Sequence, residues 1–76
     1  MKIEVLGTGC AKCNKLYEAA RQAVDTAGVD AEVVKVTDLT EIMQKGAMVT
    51  PALAVDGEIK VAGKVPKPAE IAKLLV

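Results

Sequence analysis

Two cysteines separated by two residues, in Cys10-Ala11-Lys12-Cys13, lie between a short apolar run and a long helical pattern. The run from Lys2 to Leu6 predicts a strand, and the small and apolar positions of Ala11–Ala27 recur at helical spacing. The thiols therefore fall at a strand-to-helix turn, three residues apart on one face of the first helical turn, close enough to form a disulfide. Backbone N–H groups and the helix dipole favour a thiolate there, and a thiolate is both a nucleophile and a metal ligand.

The composition limits the binding partners, the cellular compartment and the metal sites that are possible for this chain. The chain has 76 residues, which we expect to form one domain over residues 1–76, and it has no net charge. It therefore offers no polybasic surface for nucleic acid or an anionic membrane, and no apolar run approaches the length of a membrane span. Without a signal-peptide pattern, we expect a soluble, cytoplasmic protein in which two cysteines are catalytic or metal-binding rather than a structural crosslink. There is no His, so one monomer cannot complete the usual four-ligand Cys/His zinc site.

The rest of the chain predicts three more strands and two more helices. Gly7-Thr8-Gly9 is interpreted as a flexible turn, Gly28 as a helix C-cap, and Asp56-Gly57 as a two-residue hairpin turn. The predicted strands are 31–36, 52–55 and 58–62; the predicted helices are a short one capped by Asp38 that ends at Gln44 or Lys45, and 68–75 with Ile71, Leu74 and Leu75 facing inward. The order βαβαββα predicts an α/β fold with a four-stranded mixed sheet flanked by three helices.

This order, with Cys-x-x-Cys after the first strand and Thr50-Pro51 before the third, resembles the thioredoxin/glutaredoxin superfamily. Gly7 to Cys13, Thr50-Pro51 and Val55-Asp56-Gly57 resemble the signature of its small redox-active disulfide proteins of archaea and bacteria. Between the cysteines, Ala11-Lys12 stands where thioredoxins have Gly-Pro and glutaredoxins Pro-Tyr. The resemblance implies a thioredoxin fold and a monomeric thiol–disulfide oxidoreductase without cofactor or metal, whose partners are protein disulfides and a dithiol reductase.

Within that interpretation the cysteines take different roles. Cys10, at the helix start, is the predicted nucleophile that forms a mixed disulfide, and Cys13, one turn further and facing the core, is the predicted resolving thiol. The alternative is a pair of small buried apolar side chains. Lys12 opposes the helix dipole, and our hypothesis is that it lowers the pKa of Cys10; the alternative is an ordinary solvated lysine.

Three further residues take candidate roles from the resemblance. In thioredoxins the proline that matches Pro51 is cis and packs against the disulfide, so the Thr50 backbone would pair with an extended substrate segment. Glu4 lies six residues before Cys10, where thioredoxins have a buried acid that helps to move the proton of the second cysteine. The alternation of Ile3 and Val5 nevertheless predicts that Glu4 points outward into solvent.

Two other functions use the same cysteines. Copper-chaperone domains carry Cys-x-x-Cys at a first strand-to-helix turn, and two thiolates suit Cu(I), so a module that binds Cu(I) or zinc is the main alternative. Such chaperone domains have the order βαββαβ, whereas this chain has a predicted helix before Pro51 and ends in a helix. A redox switch without catalysis is the third possibility.

Overall fold

The computed structural model describes residues 1–9 and 11–75. The predicted order βαβαββα is confirmed, and two predicted ends move by one residue: the second strand begins at Glu32, and the last helix ends at Leu74 with Leu75 as its C-cap. The elements are β1 (Lys2–Leu6), α1 (Ala11–Ala27), β2 (Glu32–Val36), α2 (Leu39–Gln44), β3 (Ala52–Val55), β4 (Glu58–Ala62) and α3 (Pro68–Leu74).

The four strands form one mixed sheet in the order β2-β1-β3-β4. β1 runs parallel to β2 and antiparallel to β3, and β4 pairs antiparallel with β3, as predicted. Val5 of β1 thus lies beside Lys35 of β2 and Leu53 of β3. β1 is an inner strand, so the residues that follow its C-terminal end and lead into the cysteine motif lie near the middle of the sheet, not beside an edge strand.

The turn between β3 and β4 has the backbone that its sequence predicts. Asp56 and Gly57 have φ angles of 51° and 86°, the two positive values that a type I′ turn requires. An Asp56 carboxylate oxygen also accepts a hydrogen bond from the Lys2 backbone N–H at 2.8 Å. The hairpin is therefore fastened to the start of β1 at the end of the sheet away from the cysteine motif.

One face of the sheet, which we call the two-helix face, is covered by α1 and α3. Its packing is apolar, with Ile71 of α3 fully buried and Leu75 4% exposed. Leu74, predicted to face inward, is 39% exposed, because Ile71 and Leu75 lie four residues apart and already fill the narrow inner stripe of this two-turn helix. The buried residues are Ile3, Val5, Leu16, Ala19, Ala20, Ala23, Leu53, Val55, Ile71 and Leu75.

The opposite face, which we call the one-helix face, is covered by α2 and the segment that follows it. Asp38 caps α2 as predicted, with its carboxylate accepting a hydrogen bond from the Thr40 N–H at 2.8 Å. The buried residues of this face are Leu6, Val36, Ile42, Ala47, Ala52 and Ala54. Across residues 1–9 and 11–75, none of the helices has the length and apolar character that crossing a bilayer requires.

Candidate functional site

The site is organised around Cys13 on the first turn of α1. Cys13 is 5% exposed and belongs to the buried stripe of that helix, as its predicted core-facing position requires. Cys10, which precedes Ala11 at the start of α1, lies outside the described residues. The structure therefore places one thiol of the motif, and the sequence spacing alone relates the other to it.

Gly7 gives Cys13 the space that it occupies. A methyl group at Gly7 would overlap Sγ of Cys13, and would lie 3.0 Å from the Cys13 Cβ and 4.0 Å from the Pro51 Cα. Gly7 is buried, and its N–H donates to the Val36 carbonyl at 3.0 Å, so the prediction of a flexible turn is wrong at this residue. The sequence offered only a weak signal for this contact, a glycine between a buried strand and the cysteine motif.

The Thr50–Pro51 peptide bond is cis, as the resemblance implied. Pro51 is buried near Gly7 and Cys13, whereas Thr50 is exposed. The Pro51 carbonyl accepts a hydrogen bond from the Gly63 N–H at 2.8 Å, which ties the start of β3 to the end of β4. The site thus has the buried Pro51 near the buried thiol, and the exposed Thr50 directly precedes Pro51 in the chain.

Glu4 is buried, so the expectation that it points into solvent is wrong. Its side chain is 6% exposed, and its carboxylate forms an ion pair with Lys45 Nζ at 2.9 Å. The alternation along β1 does place Glu4 on the face opposite to Ile3 and Val5. That face is also covered, by α2 and the residues after it. A side chain of β1 that points away from the first core is therefore still buried.

Lys35 is a site neighbour that sequence analysis did not identify. Together with Asn14 and Thr37 it lines a cavity of about 80 Å³ that Cys13 also lines. The Lys35 ammonium lies 3.5 Å from Asn14 Oδ1 and 4.6 Å from the centre of the Tyr17 ring. No sequence pattern links these residues, because β2 reaches α1 only through the parallel pairing with β1.

The sequence comparisons agree with this geometry. A family model described as a thioredoxin domain matches residues 1–76. A thioredoxin of Methanothermobacter thermautotrophicus is 47% identical over 75 residues, covering 99% of this chain and 97% of that protein. A thioredoxin of Methanocaldococcus jannaschii is 49% identical over 69 residues, covering 91% of this chain and 79% of that protein. The chain belongs to the thioredoxin family.

The remaining candidate of this thioredoxin-family site is Lys12. It is exposed on the first turn of α1, a turn that contains no acidic residue. A cation there opposes the helix dipole, which makes the position unfavourable for the helix itself. Within the described residues, no three His, Cys, Asp or Glu side chains are grouped as a metal site.

Proposed function

We propose that the chain is a thiol–disulfide oxidoreductase of protein substrates, with Cys10 as nucleophile and Cys13 as resolving thiol. The observation that carries the proposal is the burial of Cys13 on the first turn of α1, beside Gly7 and Pro51. A thiol that is 5% exposed is poorly accessible to a folded protein substrate but can be reached by a sulfur three residues away. The first attack therefore falls to Cys10.

The reaction consists of two exchange steps. The Cys10 thiolate attacks one sulfur of a substrate disulfide, which forms a mixed disulfide and releases the other substrate sulfur as a thiolate that takes up a proton. Cys13 then loses its proton and attacks the Cys10 sulfur, so that the bond between Cys10 and the substrate breaks and the second substrate thiol leaves. The substrate gains two electrons and two protons, and a dithiol reductase restores the Cys10–Cys13 pair.

Thr50 and Pro51 are proposed as the substrate-binding residues. The exposed Thr50 lies directly before the buried Pro51, on the segment that leads into β3. The Thr50 backbone would pair with an extended stretch of the substrate beside its disulfide, in the manner of an added strand. Such main-chain pairing is independent of side-chain identity, which suits a protein that acts on more than one disulfide.

Glu4 and Lys12 are proposed to modulate the thiols from two sides. Glu4 is a buried carboxylate on the strand that leads to the motif, and through a water molecule it would accept the proton that Cys13 loses. Lys12 would lower the pKa of Cys10 by favouring its thiolate. We expect Lys12→Ala to raise the pKa of Cys10, as measured by thiol alkylation against pH, and an unchanged pKa would remove Lys12 from the mechanism.

Membership of the thioredoxin family supports our proposal for the domain organisation, the oligomeric state and the compartment. Residues 1–76 would act as one domain, as a cytoplasmic monomer that carries electrons between a dithiol reductase and protein disulfides. The element order favours this function over the copper-chaperone alternative, because α2 lies between β2 and β3, where the order βαββαβ has no helix.

The midpoint potential of the Cys10–Cys13 couple tests the proposal. The metal-free protein is equilibrated across a series of redox buffers, and its thiols are trapped and counted by mass. We expect one two-electron transition between about −180 and −270 mV, the span of known dithiol carriers. Cys10→Ser and Cys13→Ser are the matched controls, since each leaves one of the chain's two cysteines and removes the transition.

Absence of an intramolecular disulfide at every potential would overturn the proposal, and the thiols would then be tested as Cu(I) or zinc ligands. A normal potential without turnover of a protein disulfide would instead identify a redox switch. Turnover is measured as reduction of a small disulfide-bonded protein in the presence of a dithiol, where Cys10→Ser should fall to the uncatalysed rate.

A further inference from the structure

All three methionines of the chain are exposed, and Met48 is the most exposed of them. The exposed fractions are 94% for Met48, 68% for Met43 and 46% for Met1. Methionine is usually buried in a core because its thioether is apolar, so exposed sulfurs in a chain this small need a separate explanation. Met48 also lies two residues before Thr50, which we propose as a substrate-binding residue.

Residues 48–50 form a short exposed segment that is held at both ends. Before it, Ala47 is buried, and its N–H donates to the Ile42 carbonyl at 3.2 Å. After it, the carbonyl of the buried Pro51 accepts a hydrogen bond from the Gly63 N–H at 2.8 Å. Because backbone bonds fix both ends, the three residues between them are held at the surface beside the site.

Met48 and Val49 differ in what they contact. Val49 packs against Gly63, since a methyl group at Gly63 would lie 2.9 Å from the Val49 Cγ1. Met48 is almost fully exposed, so its sulfur is open to small solutes. Two residues of extended chain, about 7 Å, separate Met48 from Thr50, so an extended substrate segment that pairs with the Thr50 backbone would also cover Met48.

A peroxide oxidises a thioether by transferring one oxygen atom. The O–O bond of hydrogen peroxide breaks, one oxygen forms a bond with the methionine sulfur, and the other leaves as water, while the sulfur loses two electrons. The product is a polar sulfoxide, which methionine sulfoxide reductases return to the thioether. The exposure that makes Met48 available to a substrate segment therefore also makes its sulfur available to peroxide.

We propose that Met48 is an oxidation site, at which conversion of the thioether to the sulfoxide by peroxide weakens the binding of protein disulfides. The inference rests on the proposed function and adds a reversible modification to it. As a thioether, Met48 offers the substrate an apolar and adaptable contact beside Thr50. As a sulfoxide, it places a polar group without a hydrogen-bond partner in the same contact, and the chemistry at Cys10 stays as it was.

The experiment oxidises the methionines while the cysteines are protected. The Cys10–Cys13 disulfide form is treated with hydrogen peroxide, because a disulfide presents no thiolate to the oxidant. Peptide mass mapping follows sulfoxide formation at each methionine, and a dithiol then reopens the disulfide. We expect Met48 to be oxidised first, Met43 second and Met1 last, in the order of their exposure.

Turnover of a small disulfide-bonded protein is then compared before and after peroxide treatment. An unpaired polar group at an interface weakens binding about fivefold or more, so we expect about fivefold lower kcat/KM after oxidation, through a higher KM. Release of thionitrobenzoate from dithionitrobenzoate by Cys10 should not change, because this small disulfide has no peptide segment to pair with Thr50.

Met48→Leu and Met43→Leu are the matched variants, since each removes one thioether and keeps an apolar side chain of similar size. Compared with its own untreated form, Met48→Leu should lose no turnover on peroxide treatment, whereas Met43→Leu should stay as sensitive as the wild type. Met48→Gln carries a polar side chain permanently and should show the low turnover of the oxidised chain without peroxide. Thermal unfolding shows whether each variant is folded.

A bound substrate segment should in turn protect Met48 from peroxide. In Cys13→Ser, a synthetic peptide with one central cysteine is held on Cys10 as a mixed disulfide, and the same variant carrying cysteamine on Cys10 is the control. We expect the peptide to slow sulfoxide formation at Met48. It should not slow oxidation of Met1, which precedes β1 at the end of the sheet away from the cysteine motif.

Each outcome decides the inference. Equal peroxide sensitivity of Met48→Leu and the wild type, unchanged turnover with a sulfoxide at Met48, or no protection by the peptide would each overturn it and leave the proposed function intact. Equal losses of protein turnover and of thionitrobenzoate release would also overturn it, because oxidation would then act on Cys10 or on folding. If the untreated chain reduces no protein disulfide, the proposed function fails together with this inference.

Discussion

The two-helix face of the sheet is covered by helices of 17 and 7 residues, whereas the one-helix face is covered by a helix of six residues. On the first face, α1 and α3 enclose an apolar layer that includes the fully buried Leu16 and Ile71. On the second face, α2 buries Ile42, and the Glu4–Lys45 ion pair lies beside it. We infer that one face supplies most of the stability while the other tolerates a buried charge.

Truncation of one isoleucine on each face tests this division most strongly. Ile71 is 0% exposed and Ile42 is 1% exposed, so the two substitutions remove the same atoms from equally buried places. Ile-to-Ala changes cost about 2–5 kcal/mol, with the larger costs where the surroundings cannot relax into the cavity. We expect about 4 kcal/mol for Ile71→Ala, between two helices and the sheet, and about 2 kcal/mol for Ile42→Ala, under a short exposed helix.

Urea denaturation of both variants measures these free energies of unfolding. A chain of this length has about 4–11 kcal/mol in total, so the loss expected for Ile71→Ala leaves about 0–7 kcal/mol at 25 °C. Equal losses for the two variants would show that the two faces contribute equally to stability, contrary to our inference. A larger loss for Ile42→Ala would show that the one-helix face contributes more.

The two faces also differ in how well sequence predicted them. The apolar positions of α1 recur over 17 residues, and such a long pattern defines both the helix and its buried side. The Asp56-Gly57 turn and the Gly28 cap depend on local backbone chemistry and were likewise predictable. The burial of Glu4 was not predictable in this way, because α2 has six residues and one buried side chain, too few to indicate which surface it covers.

Contacts between distant elements were the other limit of the sequence analysis. Gly7 meets Cys13, and Lys35 lies beside Asn14, only after the chain has paired β2 with β1 and packed α1 on the sheet. The cysteine motif, Thr50 and Pro51 could be proposed as site residues because they resemble a family signature. Residues that surround them for geometric reasons carry no such signature.

Gly7→Ala tests a residue that contacts both α1, through Cys13, and β2, through the Val36 carbonyl. The Gly7 N–H is bonded to the carbonyl of Val36, whose side chain is in the core of the one-helix face, and a methyl group at Gly7 would overlap Sγ of Cys13. We expect a cost of about 1–3 kcal/mol from overpacking, measured by urea denaturation of the reduced protein. In a Cys13→Ala background, which removes the overlapping atom, part of that cost should disappear.

Gly9→Ala is the matched control for this cycle. Gly9 has a φ of 93°, and apart from its two chain neighbours a methyl group there would meet none of the described atoms within 4 Å, so we expect the cost to come from the backbone conformation. Cys13→Ala should not reduce that cost. If the cost of Gly7→Ala is also the same with and without Cys13→Ala, the contact between residue 7 and the thiol does not restrict residue 7 to glycine.

Glu4→Leu separates stability from function on the one-helix face. Its partner Lys45 has a side chain that is 36% exposed and can rehydrate, while leucine fills the buried volume without a desolvation cost. We expect the free energy of unfolding to stay the same or rise by about 1 kcal/mol, while the rate of the resolving step falls because the proposed proton acceptor is gone. Chemical denaturation measures the first quantity. Stopped-flow release of thionitrobenzoate from one equivalent of dithionitrobenzoate measures the second, because attack by Cys10 releases one thionitrobenzoate and the resolving attack by Cys13 releases another.

Lys45→Leu is the control that removes the other partner of the ion pair. It leaves the Glu4 carboxylate buried without its cation, so it should destabilise the protein where Glu4→Leu does not. A substantial loss of stability in Glu4→Leu would mean that the ion pair supports the one-helix face, and that its buried charge is structural. An unchanged resolving rate would remove Glu4 from the proposed mechanism.

The smallest expected effect concerns the N-caps of the two short helices. Asp38 caps α2 through the Thr40 N–H, whereas α3 begins at Lys67 and Pro68 without a side-chain cap. The Lys67 backbone already has the extended conformation of an N-cap, with φ −69° and ψ 153°, and its carbonyl accepts from the Ile71 N–H at 3.1 Å. An acceptor side chain at residue 67 is therefore the missing component.

We expect Lys67→Asp to raise the free energy of unfolding by about 1 kcal/mol, because aspartate would accept a hydrogen bond from the first turn of α3 and favour the positive end of its dipole. Asp38→Ala should lower it by a similar amount, as measured by urea denaturation with unchanged slope. Lys67→Asn keeps the cap without the charge, so it distinguishes capping from the dipole. If neither Lys67 variant gains stability, α3 is held entirely by the burial of Ile71 and Leu75, and the two-helix face needs no local helix signal at all.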